Sequence, residues 1–195
     1  MALTYPLTLP TTIGFESIEL KAVNAVARPE SQFSYVSRTL VHPGQRWAAT
    51  VTIPPLRRDI MAPWTAFLTA LKGQTGTFLM GDPDYQDGPL GTVSSCTLTG
   101  TAGSGSPTVT MTGSLLAGDY IQLGTGANAR LHKVLQDRTG NGTLEIWPNL
   151  RANYTSAPVI VTATKGVFRL ASNTTAWSIN NSNAYGVSFT AAEVI

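Results

Sequence analysis

The sequence predicts a mainly β fold: a β-sandwich with one packed α-helix, carrying an inserted small β-barrel or sandwich module. Three observations predict it. Short apolar runs with a period of two recur along almost the whole chain. A single segment switches to the 3.6-residue period of a helix. Charged residues are only 12% of the chain, about half of the typical ~25%. Thr, Ser, Asn and Gly take their place, and Thr suits a pleated, half-exposed strand. A surface so poor in charge also suits burial under neighbouring molecules.

The 195 residues suffice for one large domain or two small ones. A net charge of +2 gives no electrostatic footprint for specific nucleic-acid binding. Arg57-Arg58 is the one adjacent basic pair. A lone cysteine, Cys96, excludes a disulfide framework and a cysteine-based metal site. The first 20 residues hold no Lys or Arg and no long apolar run, so no secretion signal is expected. No stretch approaches the ~20 apolar residues of a membrane-spanning helix. The expectation is a soluble chain made in a cytoplasm, with no membrane insertion.

Residues 1–12 read as an extended arm, because Pro6 and Pro10 interrupt Leu3, Leu7 and Leu9. The arm packs on its own domain or is laid on a neighbouring copy. Ile13–Val26, Gln32–Val41 and Arg46–Ile53 read as strands, with His42-Pro43-Gly44 as the turn between the last two. Pro54-Pro55 is expected to end that sheet segment. Ile60, Trp64, Phe67, Leu68 and Leu71 then fall on one helical face. Asp59 is a start signal or Pro63 a first-turn residue, and Gly73 suits the position after the helix. Thr75–Met80 is a strand, followed by a turn-rich loop over 81–89.

From about Leu90 to Lys165 the texture changes, and no charged residue occurs between Leu90 and Gly118. Short β runs at Thr108–Met111, Asp119–Leu123, Leu131–Leu135, Thr143–Trp147 and Val159–Thr162 alternate with Gly-rich turns. Val167–Leu170, Thr175–Ile179 and Tyr185–Phe189 follow, and the apolar end Val194-Ile195 is expected to be docked. The organisation predicted is discontinuous. Residues 1–88 and 166–195 form one ring-forming β-sandwich with the helix, and residues 89–165 form an inserted small β-domain.

Chemistry-bearing residues are sparse. His42 lies in a Pro-Gly segment and His132 in a strand, neither in a nucleophile–base pattern. No nucleophile elbow, phosphate-binding loop or zinc spacing occurs. Cys96 reads as a small strand residue. Asp82, Asp84 and Asp87 could hold Ca²⁺, form a solvated acidic turn, or line a channel that passes DNA without sticking to phosphate. Trp147, Trp177, Tyr154 and Tyr120 are candidate sugar-stacking residues, although alternation suits Trp147 and Tyr120 to a core. A wall-degrading enzyme would need paired carboxylates in a cleft, and Asp119, Asp137 and Glu145 are poorly spaced for that. The chain is expected to be non-enzymatic and to need no cofactor or metal.

One arrangement of residues resembles a known family. Arg46-Trp47 leads through Val51-Thr52-Ile53-Pro54-Pro55-Leu56 into the helix with Phe67-Leu68 and Leu71-Lys72. Gly73-Gln74-Thr75-Gly76-Thr77-Phe78-Leu79-Met80-Gly81-Asp82-Pro83 follows. This is similar to the tail-tip proteins of siphophages, the lambda-type minor tail and distal tail proteins. The stretch from Ala117-Gly118-Asp119-Tyr120 to Trp147-Pro148-Asn149-Leu150-Arg151, returning through Gly166-Val167-Phe168-Arg169-Leu170, resembles a small β-module common in phage tail proteins.

The resemblance implies a ring of identical subunits, six in the family pattern, joining the tail tube to the tip hub at the distal end of the virion tail. The tube protein, the hub protein and the tape-measure protein are the implied partners, and the host cytoplasm the place of synthesis. It carries over no catalytic residue. The insert is smaller than the lectin-like domains of many distal tail proteins, and a glycan- or receptor-binding tail module is the alternative. Tyr5, Leu7 and Leu9 of the arm and the pair Arg57 and Arg58 are the candidate subunit contacts. Asp82, Asp84 and Asp87 are the candidate channel-facing loop.

Overall fold

The computed structural model describes residues 3–12, 14–85, 87–90, 96–181 and 183–195. In chain order its elements are β1 (Leu7–Thr8), β2 (Ser17–Ala27), β3 (Leu40–Arg57), α1 (Arg58–Ala70), β4 (Thr77–Met80), β5 (Cys96–Thr97), β6 (Thr101–Ala102), β7 (Thr108–Met111), β8 (Tyr120–Leu123), β9 (Arg130–Val134), β10 (Gly142–Trp147), β11 (Tyr154–Thr155), β12 (Pro158–Ile160), β13 (Gly166–Leu170), β14 (Trp177–Ile179) and β15 (Ala184–Glu193). The fold is mainly β, and α1 is its one α-helix among the described residues.

Two main sheets divide these strands. The larger has the order β1-β4-β13-β15-β3-β2, with β14 added beside β15. It draws its strands from both ends of the sequence. The second, β5-β12-β8-β9-β10-β7, comes wholly from the middle. The crossing into it, at residues 91–95, lies outside the described residues, as does Ile13 at the head of an expected strand.

Period-two burial builds the larger core. Trp47, Ala49, Val51 and Ile53 of β3 all point inward. They meet Met61, Trp64, Phe67 and Leu68 of α1 and Leu71 just after it. Phe78, Phe168 and Phe189 complete an aromatic seam, with Phe67 edge-on to Phe78 at 5.6 Å between ring centres. Such pairs add about 0.5–1.5 kcal/mol beyond the area they bury. The second sheet has its own core around Ile121, Leu123, Val134, Leu144 and Ile146. β8 is buried on both faces. Its Ile121 and Leu123 serve the second core, while Tyr120 packs with the first.

Three expectations about the β3 region are corrected. His42-Pro43-Gly44 is not a turn; it lies within an unbroken 18-residue β3. The β2–β3 register slips between Asn24 and Val26, so these residues form a bulge where the missing proline N–H costs no ladder bond. The reversal falls earlier, and 32–39 is turn and loop rather than strand. Pro54-Pro55 does not end the sheet either. A second register slip, between Tyr185 and Val187, sets both prolines opposite Gly186, and β3 runs straight into α1.

The helix begins at Arg58, so Pro63 is interior rather than in the first turn. It removes the bond its N–H would give to the Asp59 carbonyl. Left-handed backbone starts at Lys72 (φ 51) and continues at Gly73 (φ 67), one residue earlier than the glycine predicts. A side chain at Gly73 would meet Asn173 Oδ1 at 2.9 Å. At the other end, Val194 is half-buried but Ile195 is 68% exposed, against the expected docking.

Trp64 is fully buried at the centre of the seam. Trp64→Ala is expected to lower unfolding stability by roughly 3–5 kcal/mol, read as a drop in urea midpoint. Ala66→Ser, on the exposed face of α1, should change it by no more than about 0.5 kcal/mol.

Candidate assembly surface

Residues 21–44 contain no buried residue, and only Ser37 is even half-buried. They comprise the outer part of β2, the connection 28–39 and the start of β3. β15 accompanies β3 no further than Ala48. The seven residues of β3 before the buried Trp47 project about 23 Å at strand rise. The result is a long hairpin reaching out of the body.

Its apolar side chains face solvent. Phe33 is 100% exposed, Tyr35 78%, Val41 75% and Val36 69%, with Val26 and Leu40 about half exposed. The tip is nevertheless ordered by its own bonds. Ser31 N–H donates to Val36 O at 3.0 Å, Tyr35 N–H to Ser31 O at 2.8 Å, and Arg38 N–H to Pro29 O at 3.1 Å. The Arg28 guanidinium donates twice to Ser37 Oγ, at 3.2 and 3.1 Å. Tyr35 takes a left-handed φ of 55.

The second sheet braces the hairpin root. Trp147 Nε1–H donates to Asn24 Oδ1 at 2.8 Å, and Asn149 N–H to Gln45 Oε1 at 2.8 Å. Arg151 donates to Gln45 O and lies 3.6 Å from Glu193 Oε2. Glu193 Oε2 also accepts the Trp47 N–H at 3.0 Å, and the Trp47 indole donates to Leu131 O at 2.9 Å. Trp47 and Trp147 meet edge to face with ring centres 4.6 Å apart.

Beyond this joint β2 pairs only with β3 among the described strands, so its 11 residues form the free edge of the sheet. Glu19 and Lys21 are its only charges, and they pair with each other at 2.9 Å. A long, weakly charged edge is a template for further strand pairing.

No protein-family model matches the chain, and no curated protein matches it. The geometry therefore carries the functional reading.

The arm of residues 3–12 lies on its own sheet, the first of its two expected placements. β1 pairs in parallel with β4, and Tyr5 Oη–H donates to Ala70 O at 2.6 Å. Tyr5, Leu7 and Leu9 are half-buried against the larger core. Between arm, α1 and β4 runs an open groove of about 1020 Å³. Arg57 and Arg58 stand exposed at the start of α1, over a shallow depression shared with Asn183. Asp82 Oδ1 accepts the Asp84 N–H at 3.0 Å, and Asp84 and Asp87 are exposed. No cluster of three His, Cys, Asp or Glu side chains fit for a metal ion occurs among the described residues.

The reactive residue types do not converge. His42 sits exposed on the hairpin. Cys96 is buried, donates to Thr112 O at 2.7 Å, and has its thiol pushed up to about 11 by burial. His132 is fully buried and donates from Nδ1 to Pro148 O at 2.7 Å. Of the candidate sugar-stacking aromatics, Tyr120 is buried, Tyr154 half-buried, and Trp147 bonded at the joint; Trp177 is 43% exposed. No described helix is long and apolar enough to cross a membrane.

The hairpin was the feature that strand periodicity hid. Phe33 and Tyr35 alternate like a buried strand while sitting in a loop. The signal pointing the other way was Pro29-Glu30-Ser31, a breaker cluster ahead of them.

Burial pushes the His132 pKa down from 6.5 to about 4, with Arg151 and Arg130 adding to the shift and the Pro148 bond opposing it. The unfolded chain therefore protonates first as pH falls. His132 costs the fold stability below pH 6.5, and the loss is complete near pH 4, at about 3 kcal/mol. Glu193 is pushed above its ordinary value by burial, so it acts in the opposite sense above pH 4.5. His132→Asn, which keeps a donor for Pro148, should flatten the fall in urea midpoint between pH 6.5 and 4.

Proposed function

We propose that this protein is a structural, non-enzymatic subunit of a bacteriophage tail tip. Copies of it close into a ring, six in the pattern of the family it resembles, between the tail tube and the tip hub. One observation carries the reading: a hairpin with a free 11-residue edge and an apolar, internally bonded tip stands clear of the body. An isolated two-stranded hairpin is marginal in water, and exposed apolar surface of this kind marks an interaction site.

The chemistry supports assembly over catalysis. Two buried titratable side chains that burial perturbs, His132 and Glu193, sit inside the joint that holds the hairpin. The exposed Asp84 and Asp87 are free to face a passage for DNA, where negative charge opposes phosphate. The inserted sheet lies outward of the ring, and the tape-measure protein is a further partner within the tail. The place of the protein in this reading is the distal end of the virion tail, after synthesis in the host cytoplasm.

A glycan-binding role has less support. The open face of Trp177 borders Thr65 and Thr69. Their hydroxyls donate to the carbonyls of Ala62 and Thr65 at 3.0 and 2.8 Å. On that side the two hydroxyls are already committed as donors to helix carbonyls, and Glu16, Ser178 and Ser188 line only the other side of Trp177.

The purified chain should form a discrete oligomer by light scattering and closed rings by electron microscopy. Val23→Lys with Val26→Lys, both on the exposed edge strand, should shift it to monomer while far-UV circular dichroism and the urea midpoint stay unchanged. A wild-type protein that remains monomeric at high concentration would remove the basis of the proposal.

A further inference from the structure

We infer that β2 of one copy pairs with β2 of a second copy, antiparallel about a two-fold axis through Leu20. The inference goes beyond the ring reading. A two-fold contact joins like surfaces and closes on itself as a dimer, so it is not the contact that builds a ring. It occupies the free edge of copies outside one.

Length selects the partner. Every edge strand other than β2 has four residues or fewer among those described, against the 11 of β2. The other margin of the hairpin, along β3 before Ala48, is met at Gln45 by Asn149 and Arg151. Only a second β2 offers an equally long run of open backbone N–H and C=O groups.

Charge fixes the register. Side chains directly opposite in a ladder share a face, so the axis passes through a residue. A centre at Glu19 sets Glu19 against Glu19, and a centre at Lys21 sets Lys21 against Lys21. Like charges directly opposite are destabilising. A centre at Ala22 or beyond draws the register slip between Asn24 and Val26 into the ladder. A centre at Ile18 leaves only Ser17–Glu19 of β2 to pair. A centre at Leu20 pairs Ser17–Val23 of each copy and stops short of the slip. It sets each Glu19 opposite Lys21 of the other copy. These exposed side chains already meet at 2.9 Å within one chain, so the charges around the axis alternate in sign.

The opposite face of the strand agrees. Ile18, Leu20 and Ala22 stand opposite Val51, Ala49 and Trp47, on the core side of the sheet. Ile18 and Leu20 are only half-buried against that core. About this axis Leu20 meets Leu20 and Ile18 meets Ala22, so each copy closes the open flank of the other's core. Where a ring neighbour also takes this edge, pair and ring exclude each other, and the pair keeps the edge covered before assembly.

Charge swaps on the intact chain test this, read by light scattering at concentrations below those that give rings. Lys21→Glu leaves only negative side chains around the axis, and Glu19→Lys only positive ones. Each variant alone should weaken the pair roughly tenfold or more with an unchanged urea midpoint, and an equimolar mixture of the two should restore it. Ser17→Cys protein mixed with Val23→Cys protein should cross-link under mild oxidation. Neither alone should exceed the background of wild type with its buried Cys96, and the double variant should stop at dimers. Val23→Cys cross-linking efficiently to itself would overturn the inference, as would charge variants that stay monomeric when mixed. So would rings that dilute straight to monomer, an outcome that leaves the ring reading standing. Pairs that never give rings uphold the inference and remove the ring reading. Absence of any oligomer removes both.

Discussion

One strand lives in two environments, and Trp47 is where it changes. From Trp47 to Ile53, β3 buries every second side chain under α1. Before Trp47 none of its residues is buried. At the boundary the Trp47 N–H is fixed by Glu193 and its indole N–H by Leu131 O. The carboxylate of Glu193 is almost wholly out of solvent, 1% exposed, and Arg151 sits beside it at 3.6 Å. Breaking a pair like this by removing one partner leaves an uncompensated buried charge, typically a loss of 3–5 kcal/mol. Loss of either partner would therefore weaken the joint. It ties two hydrophobic cores to the root of a hairpin that has no core of its own.

The low charge of the chain acquires meaning from that geometry. A monomeric soluble protein commonly blunts its free edges with lysine, proline or inward-pointing charge. Here the edge strand β2 holds one Glu and one Lys, which neutralise each other, and no proline; Pro43 lies on the other strand of the hairpin, at a bulge. The fold keeps strand pairing available where a self-contained domain would suppress it. Thr and Ser give the surface hydrogen-bonding capacity without the desolvation penalty that Lys or Glu would bring to a covered interface.

How much of this could be read from sequence varies with the kind of signal. The helix face of Trp64, Phe67, Leu68 and Leu71 was legible because burial and period coincide there. The central strands from Thr108 to Trp147 were legible because Gly-rich turns bound them. Pro43 and Pro54-Pro55 misled, since proline signals a break in local pairing and cannot say whether the chain turns or merely bulges. That difference is decided by partners far away, Ala25 in one case and Gly186 in the other. The hairpin was illegible for a related reason. Alternation at Phe33 and Tyr35 reports that a surface will be covered, without reporting whether by the same chain or another. Of the candidate contacts, Tyr5, Leu7 and Leu9 were visible as apolar residues, but the place of Leu7 and Leu9 on one wall of a groove needed α1 and β4 beside them.

In the proposed assembly, the same joint would decide between ring and filament. A heterologous contact repeats with a fixed rotation, and it closes only if that rotation divides a full turn. The rotation would be set by the angle at which the hairpin leaves the body. A flexible hairpin would sample many angles and give a mixture of open and closed species. The bracing bonds from Asn149, Arg151 and Trp147 to Gln45 and Asn24 remove that freedom. In that assembly the inserted sheet would have a mechanical role apart from any ligand, as the strut that sets the angle. Its own attachment through β8, buried on both faces, is as firm as a core strand, as a strut requires.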